Sequence, residues 1–143
     1  MLWGIIIAMI SGTLMSVQGV FNSEVTRQSS IWVSASFVQG TALIVCLVAW
    51  LITGREGSFA SIASVSPKYM LLGGAMGAFI TYTVIQSMKM IGPAKSVMFI
   101  VTLQLVVAYL IEVFGLFGVE TVAFEWKKLI GLIIIIAGII TFV

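Results

Sequence analysis

The sequence has no histidine, no aspartate and a single cysteine, Cys46, among its 143 residues. Because histidine and cysteine are the usual ligands of transition metals, we expect no metal site. One cysteine excludes an internal disulfide, and Cys46 is predicted to be a small packing residue within an apolar segment. No nucleophile–base pair or phosphate-binding loop is visible, so we expect neither an enzyme nor a cofactor.

Charge is also scarce, since 8% of the residues are charged and the formal net charge is +2. That charge is too small to indicate nucleic-acid binding. Hydrophobic residues make up 61% of the chain, more than a soluble domain of this length could remove from water. The composition therefore predicts an all-α integral membrane protein, formed as a single membrane domain over residues 1–143, with the lipid bilayer as its surroundings.

The apolar segments predict five transmembrane helices, because each has about the 20 residues that a bilayer crossing needs. They cover roughly residues 2–22, 31–53, 69–90, 95–117 and 127–143. Amphipathic tryptophan side chains prefer the headgroup region, and the four tryptophans fall near predicted helix ends: Trp3, Trp32, Trp50 and Trp126. The first segment lacks a basic region before it, so we expect a retained helix and not a signal peptide.

The basic residues are nearly balanced between the two predicted sides of the membrane. One side carries Arg55, Lys68, Lys127 and Lys128, and the other carries Arg27, Lys89 and Lys95. Five helices would place the termini on opposite faces. The weak charge bias is compatible with insertion in both orientations, or with one orientation in which the four-charge side is cytoplasmic.

Polar and small residues recur on one predicted face of the first helix. At steps of three or four residues, this face comprises Gly4, Ala8, Ser11, Met15, Gln18 and Asn22. The opposite stripe, predicted to face lipid, comprises Ile10, Leu14, Val17 and Phe21. An unpartnered amide in hydrocarbon costs several kcal/mol, so Gln18 and Asn22 are expected to meet protein, water or a ligand.

The next three helices repeat this pattern. Their polar positions are Ser34, Ser36 and Gln39 in the second, Tyr82 and Gln86 in the third, and Gln104 and Glu112 in the fourth. One interpretation is a hydrated cavity to which four helices contribute, and the other is that the amides only bond helices together. The fifth helix is almost wholly aliphatic, which favours packing against a partner subunit or lipid.

Glu112 is the one carboxylate plainly inside a predicted helix, about five residues from its end. Two readings stay open for it. At headgroup depth it would be an interfacial charge. Deeper in the membrane, desolvation would favour its protonated form and make it a proton carrier.

The order and spacing of several motifs resemble the five-helix, YdcZ-like branch of the drug/metabolite transporter superfamily. They extend over nearly the whole chain: Gly12-Thr-Leu-Met-Ser-Val-Gln18-Gly-Val-Phe-Asn22, Ser36-Phe37 with Gly40, Gly73-Gly74-Ala-Met-Gly77, Gly92, Gln104, and Glu112-Val-Phe-Gly115-Leu-Phe-Gly118. The carboxylate at the position of Glu112 looks more often Asp in that family.

The resemblance implies one half of a ten-helix, inverted-repeat transporter in the bacterial inner membrane. The other half would be a second copy of the chain in an antiparallel homodimer, or a paralogous chain. Substrate would bind near the midplane, and alternating access would move it. Relatives with four helices carry an essential Glu in the first helix. Here the comparable face has only the neutral amides Gln18 and Asn22, which puts simple exchange of protons for lipophilic cations in doubt.

The predicted function is therefore secondary transport of a small polar, neutral or zwitterionic metabolite. The predicted substrate-binding residues are Ser11, Met15, Gln18, Asn22, Ser36, Phe37, Tyr82, Gln86 and Gln104, and Glu112 is the candidate for proton coupling. The alternatives are a proton-coupled exporter of small organic cations and a non-transporting membrane assembly subunit.

Overall fold

A computed structural model describes residues 2–55 and 57–142, and all regular structure within these ranges is helical. The α-helices are α1 (Leu2–Gln28), α2 (Ile31–Ile52), α3 (Gly73–Ile91), α4 (Pro93–Phe114) and α5 (Trp126–Phe142). Three short 3₁₀ helices occupy Phe59–Ser64, Lys68–Leu72 and Leu116–Gly118. The predicted all-α class is confirmed for the described residues.

Within residues 2–55 and 57–142, four helical stretches are long and apolar enough to cross a membrane: Leu2–Gln28, Ile31–Ile52, Lys68–Ile91 and Pro93–Phe114. The fifth helix has 17 described residues, which at 1.5 Å per residue is about 26 Å. The hydrocarbon core of a bilayer is about 30 Å thick. A fifth crossing therefore stays a prediction, and its predicted last residue, Val143, lies outside the described residues.

The chain divides into two compact units, one ending at Met90 and the other beginning at Ile91. The first contains α1, α2 and nearly all of α3, and the second contains α4 and α5. The single membrane domain over residues 1–143 stays a prediction.

Helix α1 is longer than predicted, since it continues from Asn22 to Gln28. Its last turns are held by side chains three and four residues apart, a spacing that brings them together on a helix surface. Arg27 donates to both carboxylate oxygens of Glu24, at 2.9 and 2.6 Å, and Gln28 donates to one of them at 2.8 Å. The predicted end at residue 22 was wrong because these polar residues favour the helix and do not end it.

A two-residue connection, Ser29 and Ser30, joins α1 to α2. Ser30 is the N-cap of α2, and its hydroxyl accepts a bond from the Val33 N–H at 3.4 Å. The hydroxyl of Ser34, which is fully buried, donates to the Asn22 backbone carbonyl at 3.2 Å. So short a connection forces the two helices to run side by side in opposite directions.

Helix α3 contacts α1 at a glycine. A methyl group built on Gly19 would lie 2.4 Å from Met88 Cε and 3.5 Å from Val84 Cγ1. Because glycine has no side chain, the Met88 side chain can pack directly against the α1 backbone. Ile85 is fully buried and Met88 is 5% exposed. These two side chains form the main apolar core of the first unit.

The polar segment after α2 folds back on the end of that helix. Trp50 contacts Phe59 edge to face at 4.8 Å between ring centroids, and its indole N–H donates to the Gly57 carbonyl at 3.4 Å. The segment thus covers one interfacial tryptophan. The helical stretch that follows begins with the 3₁₀ helix Lys68–Leu72, and α3 itself starts at Gly73, four residues later than predicted.

Helix α4 begins at Pro93. Proline suits this position because a backbone N–H in the first turn would have no acceptor within the helix, so its absence costs no hydrogen bond. The helix ends at Phe114, three residues earlier than predicted, because Gly115 takes a left-handed conformation with φ of 60°. A methyl group built on Gly115 would lie 2.5 Å from Thr121 Cγ2. The chain therefore turns closely over the helix end, which only glycine permits.

Two hydrogen bonds of the Tyr109 side chain connect α4 to the residue before α5. Its hydroxyl accepts the Glu125 N–H at 2.9 Å and donates to the Glu125 carbonyl at 3.4 Å. Phe124 lies beside the Tyr109 ring, and Trp126 contacts Phe124 edge to face at 5.3 Å between ring centroids. One end of the α4–α5 pair is thus an aromatic cluster of Tyr109, Phe124 and Trp126.

Candidate functional site

A groove of about 510 Å³ runs between α1 and α2. Its lining residues are Leu14, Val17, Gln18, Phe21 and Asn22 on α1, and Val38, Thr41, Ala42, Val45 and Cys46 on α2. Most of this surface is apolar, and the two amides are its largest polar groups. We call it the α1–α2 groove.

Gln18 and Asn22 are the predicted site residues that the structure brings together in this groove. Gln18 is exposed and Asn22 is 8% exposed. No hydrogen bond to either side-chain amide is found within residues 2–55 and 57–142. An amide can both donate and accept, so the two side chains, one turn apart on α1, offer donors and acceptors to a small polar molecule.

The predicted division of α1 into a polar inner face and an apolar lipid face stays a prediction, and the α1–α2 groove is lined by residues of both faces. Leu14, Val17 and Phe21, predicted to face lipid, line the same groove as Gln18. The reason is helix geometry, because residues four before and three after Gln18 share its face. The groove therefore surrounds its amides with apolar side chains.

The remaining predicted residues of the first two helices do not line this groove. Ser11, Met15, Ser36 and Phe37 are exposed, with Met15 at 54% and Phe37 at 65%. Their roles in substrate binding stay predictions.

Tyr82 and Gln86 lie together on α3. The Gln86 amide donates to the Tyr82 hydroxyl at 3.4 Å, and the Tyr82 ring stacks on Trp32 at 5.0 Å between centroids. The third predicted helix therefore presents an amide and a phenol that already bond each other, next to an aromatic residue at the start of α2.

Gln104 and Glu112 belong to the second unit, two turns apart on α4. Gln104 is exposed and Glu112 is half-buried. In the described part of the chain neither side chain has a hydrogen-bond or ion-pair partner. Because α4 ends at Phe114, Glu112 lies two residues from the helix end and not five.

The sequence reasoning missed the α2 side of the groove and one buried hydroxyl. Thr41 and Ala42 each lie three or four residues from both Val38 and Val45, so their common face could have been read from spacing once the α1–α2 pairing was known. Thr26 is 4% exposed, and its Oγ1 has no hydrogen-bond partner among the described residues.

The protein family described as "Putative inner membrane exporter, YdcZ" matches residues 3–141. The chain belongs to the YdcZ family. Comparison with curated proteins and with solved structures gave no match. Membership of the YdcZ family confirms the predicted resemblance, and with the apolar helices it identifies a multi-pass protein of the inner membrane.

The YdcZ family is a family of membrane transporters by its description and not a family of enzymes. The exposed amides Gln18 of α1 and Gln104 of α4 both lie inside stretches that are long and apolar enough to cross a membrane. An amide facing hydrocarbon without a partner is costly. Among the described residues, no hydrogen-bond partner is found for either side-chain amide.

Proposed function

We propose that this protein is a secondary transporter that exports a small polar, neutral or zwitterionic metabolite by alternating access of an antiparallel pair of chains. The observation that carries the proposal is the pair of exposed amides, Gln18 and Gln104, which have no hydrogen-bond partner among the described residues. Substrate, cavity water or a second chain would supply those partners.

The α1–α2 groove supports a substrate of modest size and mixed character. Its amides from Gln18 and Asn22 would fix the polar part of a ligand, and the apolar lining would contact the rest. The lining contains no charged side chain. A neutral or zwitterionic molecule therefore fits better than an ion that needs a counter-charge.

The proposed partner is a second copy of the chain, inserted the opposite way. Helices of an inverted-repeat transporter meet around a central site, and each copy would contribute one Gln18 and one Asn22. A related chain could replace the second copy. In both cases a fifth membrane crossing by α5 is required, because it places the two ends of the chain on opposite faces.

A second candidate, proton-coupled export of small organic cations, is favoured by one observation. The half-buried carboxylate of Glu112 has no ion-pair partner within residues 2–55 and 57–142. Its place two residues from the end of α4 counts against a deep proton site.

The two candidates can be separated by measuring thermal unfolding of the purified protein with added ligands, since a ligand that binds the folded state stabilises it. The panel would contain neutral amino acids, nucleosides, sugars and tetraphenylphosphonium. We expect a neutral or zwitterionic compound to raise the melting temperature, and Gln18→Leu to abolish that shift and the transport of the same compound into proteoliposomes.

The matched control is Thr13→Leu, a polar-to-leucine change on the same helix outside the groove, where the hydroxyl already bonds the Met9 carbonyl at 2.9 Å. It should leave ligand binding intact. Stabilisation by tetraphenylphosphonium alone, lost in Glu112→Gln, would favour the second candidate. No stabilising compound, together with normal function of Gln18→Leu in cells, would favour a non-transporting assembly subunit.

Dual insertion can be tested without knowing the substrate. In a Cys46→Ala background, a single cysteine would replace Ile52, which is 79% exposed at the end of α2. An impermeant maleimide applied to intact spheroplasts should label about half of the molecules if both orientations occur. Labelling of all or of none would overturn the antiparallel homodimer and leave a related chain as the second half.

A further inference from the structure

A second groove, of about 260 Å³, lies between α4 and α5. Most of its lining is apolar and consists of Leu105, Gly131, Leu132 and Ile135. The other two, Tyr109 and Lys128, bring a phenol and an ammonium group to its end near the start of α5. We call it the α4–α5 groove. A groove that is apolar along most of its lining and cationic at one end is complementary to an amphiphilic molecule with an anionic head.

The groove is held open by local structure. No atom lies within 4 Å of a methyl group built on Gly131, so this position is open space. At the cationic end, the two hydrogen bonds between Tyr109 and the Glu125 backbone fix the spacing of α4 and α5. The Lys128 ammonium lies 5.5 Å from the centre of the Tyr109 ring, which directs it toward the groove.

The cationic end carries more positive charge than its neighbours neutralise. Lys128 pairs with Glu125 at 3.4 Å, but the side chain of Lys127 has no ion-pair partner among the described residues. Both lysines lie in the first turn of α5, where the helix dipole is itself positive and repels them. An anionic group would relieve this repulsion.

We propose that the α4–α5 groove binds an anionic phospholipid. The phosphodiester lies against Lys127 and Lys128, and one acyl chain runs along Leu105, Leu132 and Ile135. Trp126, which is 71% exposed beside the lysines, is a residue type that prefers headgroup depth. Basic pockets between membrane helices are known to select such headgroups.

Charge complementarity favours a lipid over a helix from a second copy. The groove needs an anion at one end and a hydrocarbon chain along the rest, and an anionic phospholipid supplies both in one molecule. A helix from another copy would satisfy the apolar part but would leave the charge of Lys127 without a counter-ion. This inference does not depend on which substrate the protein transports.

The test is native mass spectrometry of the detergent-purified full chain after addition of dioleoyl phosphatidylglycerol or dioleoyl phosphatidylcholine. We expect preferential retention of phosphatidylglycerol, and an apparent affinity reduced roughly tenfold or more in Lys127→Gln/Lys128→Gln. The control Lys68→Gln/Lys89→Gln removes the same charge elsewhere and should leave retention unchanged. Equal retention of the two lipids, or equal loss in both double variants, would overturn the proposal.

A second variant tests the acyl chain separately from the charge. Gly131→Leu places a side chain in the groove and should lower phosphatidylglycerol retention although both lysines remain. Gly138→Leu makes the same change on the same helix away from the groove lining, and should retain the lipid normally. Unchanged retention in Gly131→Leu, or inorganic phosphate that displaces the lipid completely, would show that no acyl chain occupies the groove.

Discussion

In the first unit, buried polar side chains flank the turn between α1 and α2, whereas in the second unit the Tyr109 hydroxyl links α4 to the residue before α5. In the first unit, Ser34 bonds the Asn22 backbone and Thr26 is buried. In the second unit, Tyr109 bonds the Glu125 backbone, and the α4–α5 groove beyond it is apolar.

This difference indicates how each helix pair obtains its specificity. Inside a membrane, apolar side chains contact lipid as readily as they contact each other, so small and polar residues decide which helix faces meet. The first unit uses such residues at Gly19, where Met88 of α3 approaches, and at Ser34, near the turn between α1 and α2. Among the described residues of the second unit, the Tyr109–Glu125 bonds link α4 to the start of α5, so its packing should depend on the turn between these helices.

We expect the largest change in the free energy of unfolding from a substitution in the apolar core of the first unit. Ile85 is fully buried on α3, so Ile85→Ala should lower the free energy of unfolding by about 3 kcal/mol through the cavity that it leaves. Ile80→Ala, on the same helix and 55% exposed, should change it by less than about 1 kcal/mol. Unfolding in mixed micelles would measure both. Equal effects would show that Ile85 is not a packing centre.

The second unit should respond to changes in its turn. Gly115→Ala should lower the free energy of unfolding by about 2 kcal/mol, because the left-handed backbone disfavours alanine and the new methyl group would meet Thr121. Gly118 also has a positive φ, of 83°, but is surrounded by open space. Gly118→Ala should therefore show only the backbone cost, about 1 kcal/mol.

The same mixed-micelle measurement would show whether the close contact matters. If Gly115→Ala and Gly118→Ala lowered the free energy of unfolding equally, the close approach of Thr121 to Gly115 would not contribute to stability. The cost at both positions would then come from the left-handed backbone alone.

The smallest predicted change is an increase in the free energy of unfolding, at Thr26 in the first unit. The buried hydroxyl of Thr26 has no hydrogen-bond partner among the described residues. Thr26→Val removes the unsatisfied group and keeps the shape, so it should raise the free energy of unfolding by about 0.5–1 kcal/mol. Thr13→Val, where the exposed hydroxyl bonds its own helix, should be neutral. A clear destabilisation by Thr26→Val would mean that polar contacts hold this part of the first unit.

Much of the site could be named from the sequence, but its surroundings could not. Gln18 and Asn22 were predicted because amides are rare and costly in an apolar helix, and they do share a groove. Thr41 and Cys46 on the facing helix were not predicted, because periodicity along one helix says nothing about which neighbour it meets. The joint cavity with Tyr82, Gln86 and Gln104 stays a prediction.

The sequence by itself determined that this is a helical inner-membrane protein of the YdcZ family. It also predicted a fourth helix from about residue 95, close to the observed start at Pro93, and tryptophans near helix ends. These are local properties, because the length of an apolar run, the fixed φ of proline and the amphipathic indole act without help from distant residues.

Only the tertiary structure decided which faces of the helices meet. The contact of Gly19 with Met88 joins residues 69 positions apart in the sequence, and the Tyr109–Glu125 bonds close a turn whose path depends on Gly115. Neither follows from periodicity, because in lipid the apolar faces of a helix have nearly equal energies. Close packing at a glycine and a few satisfied polar groups then select one arrangement.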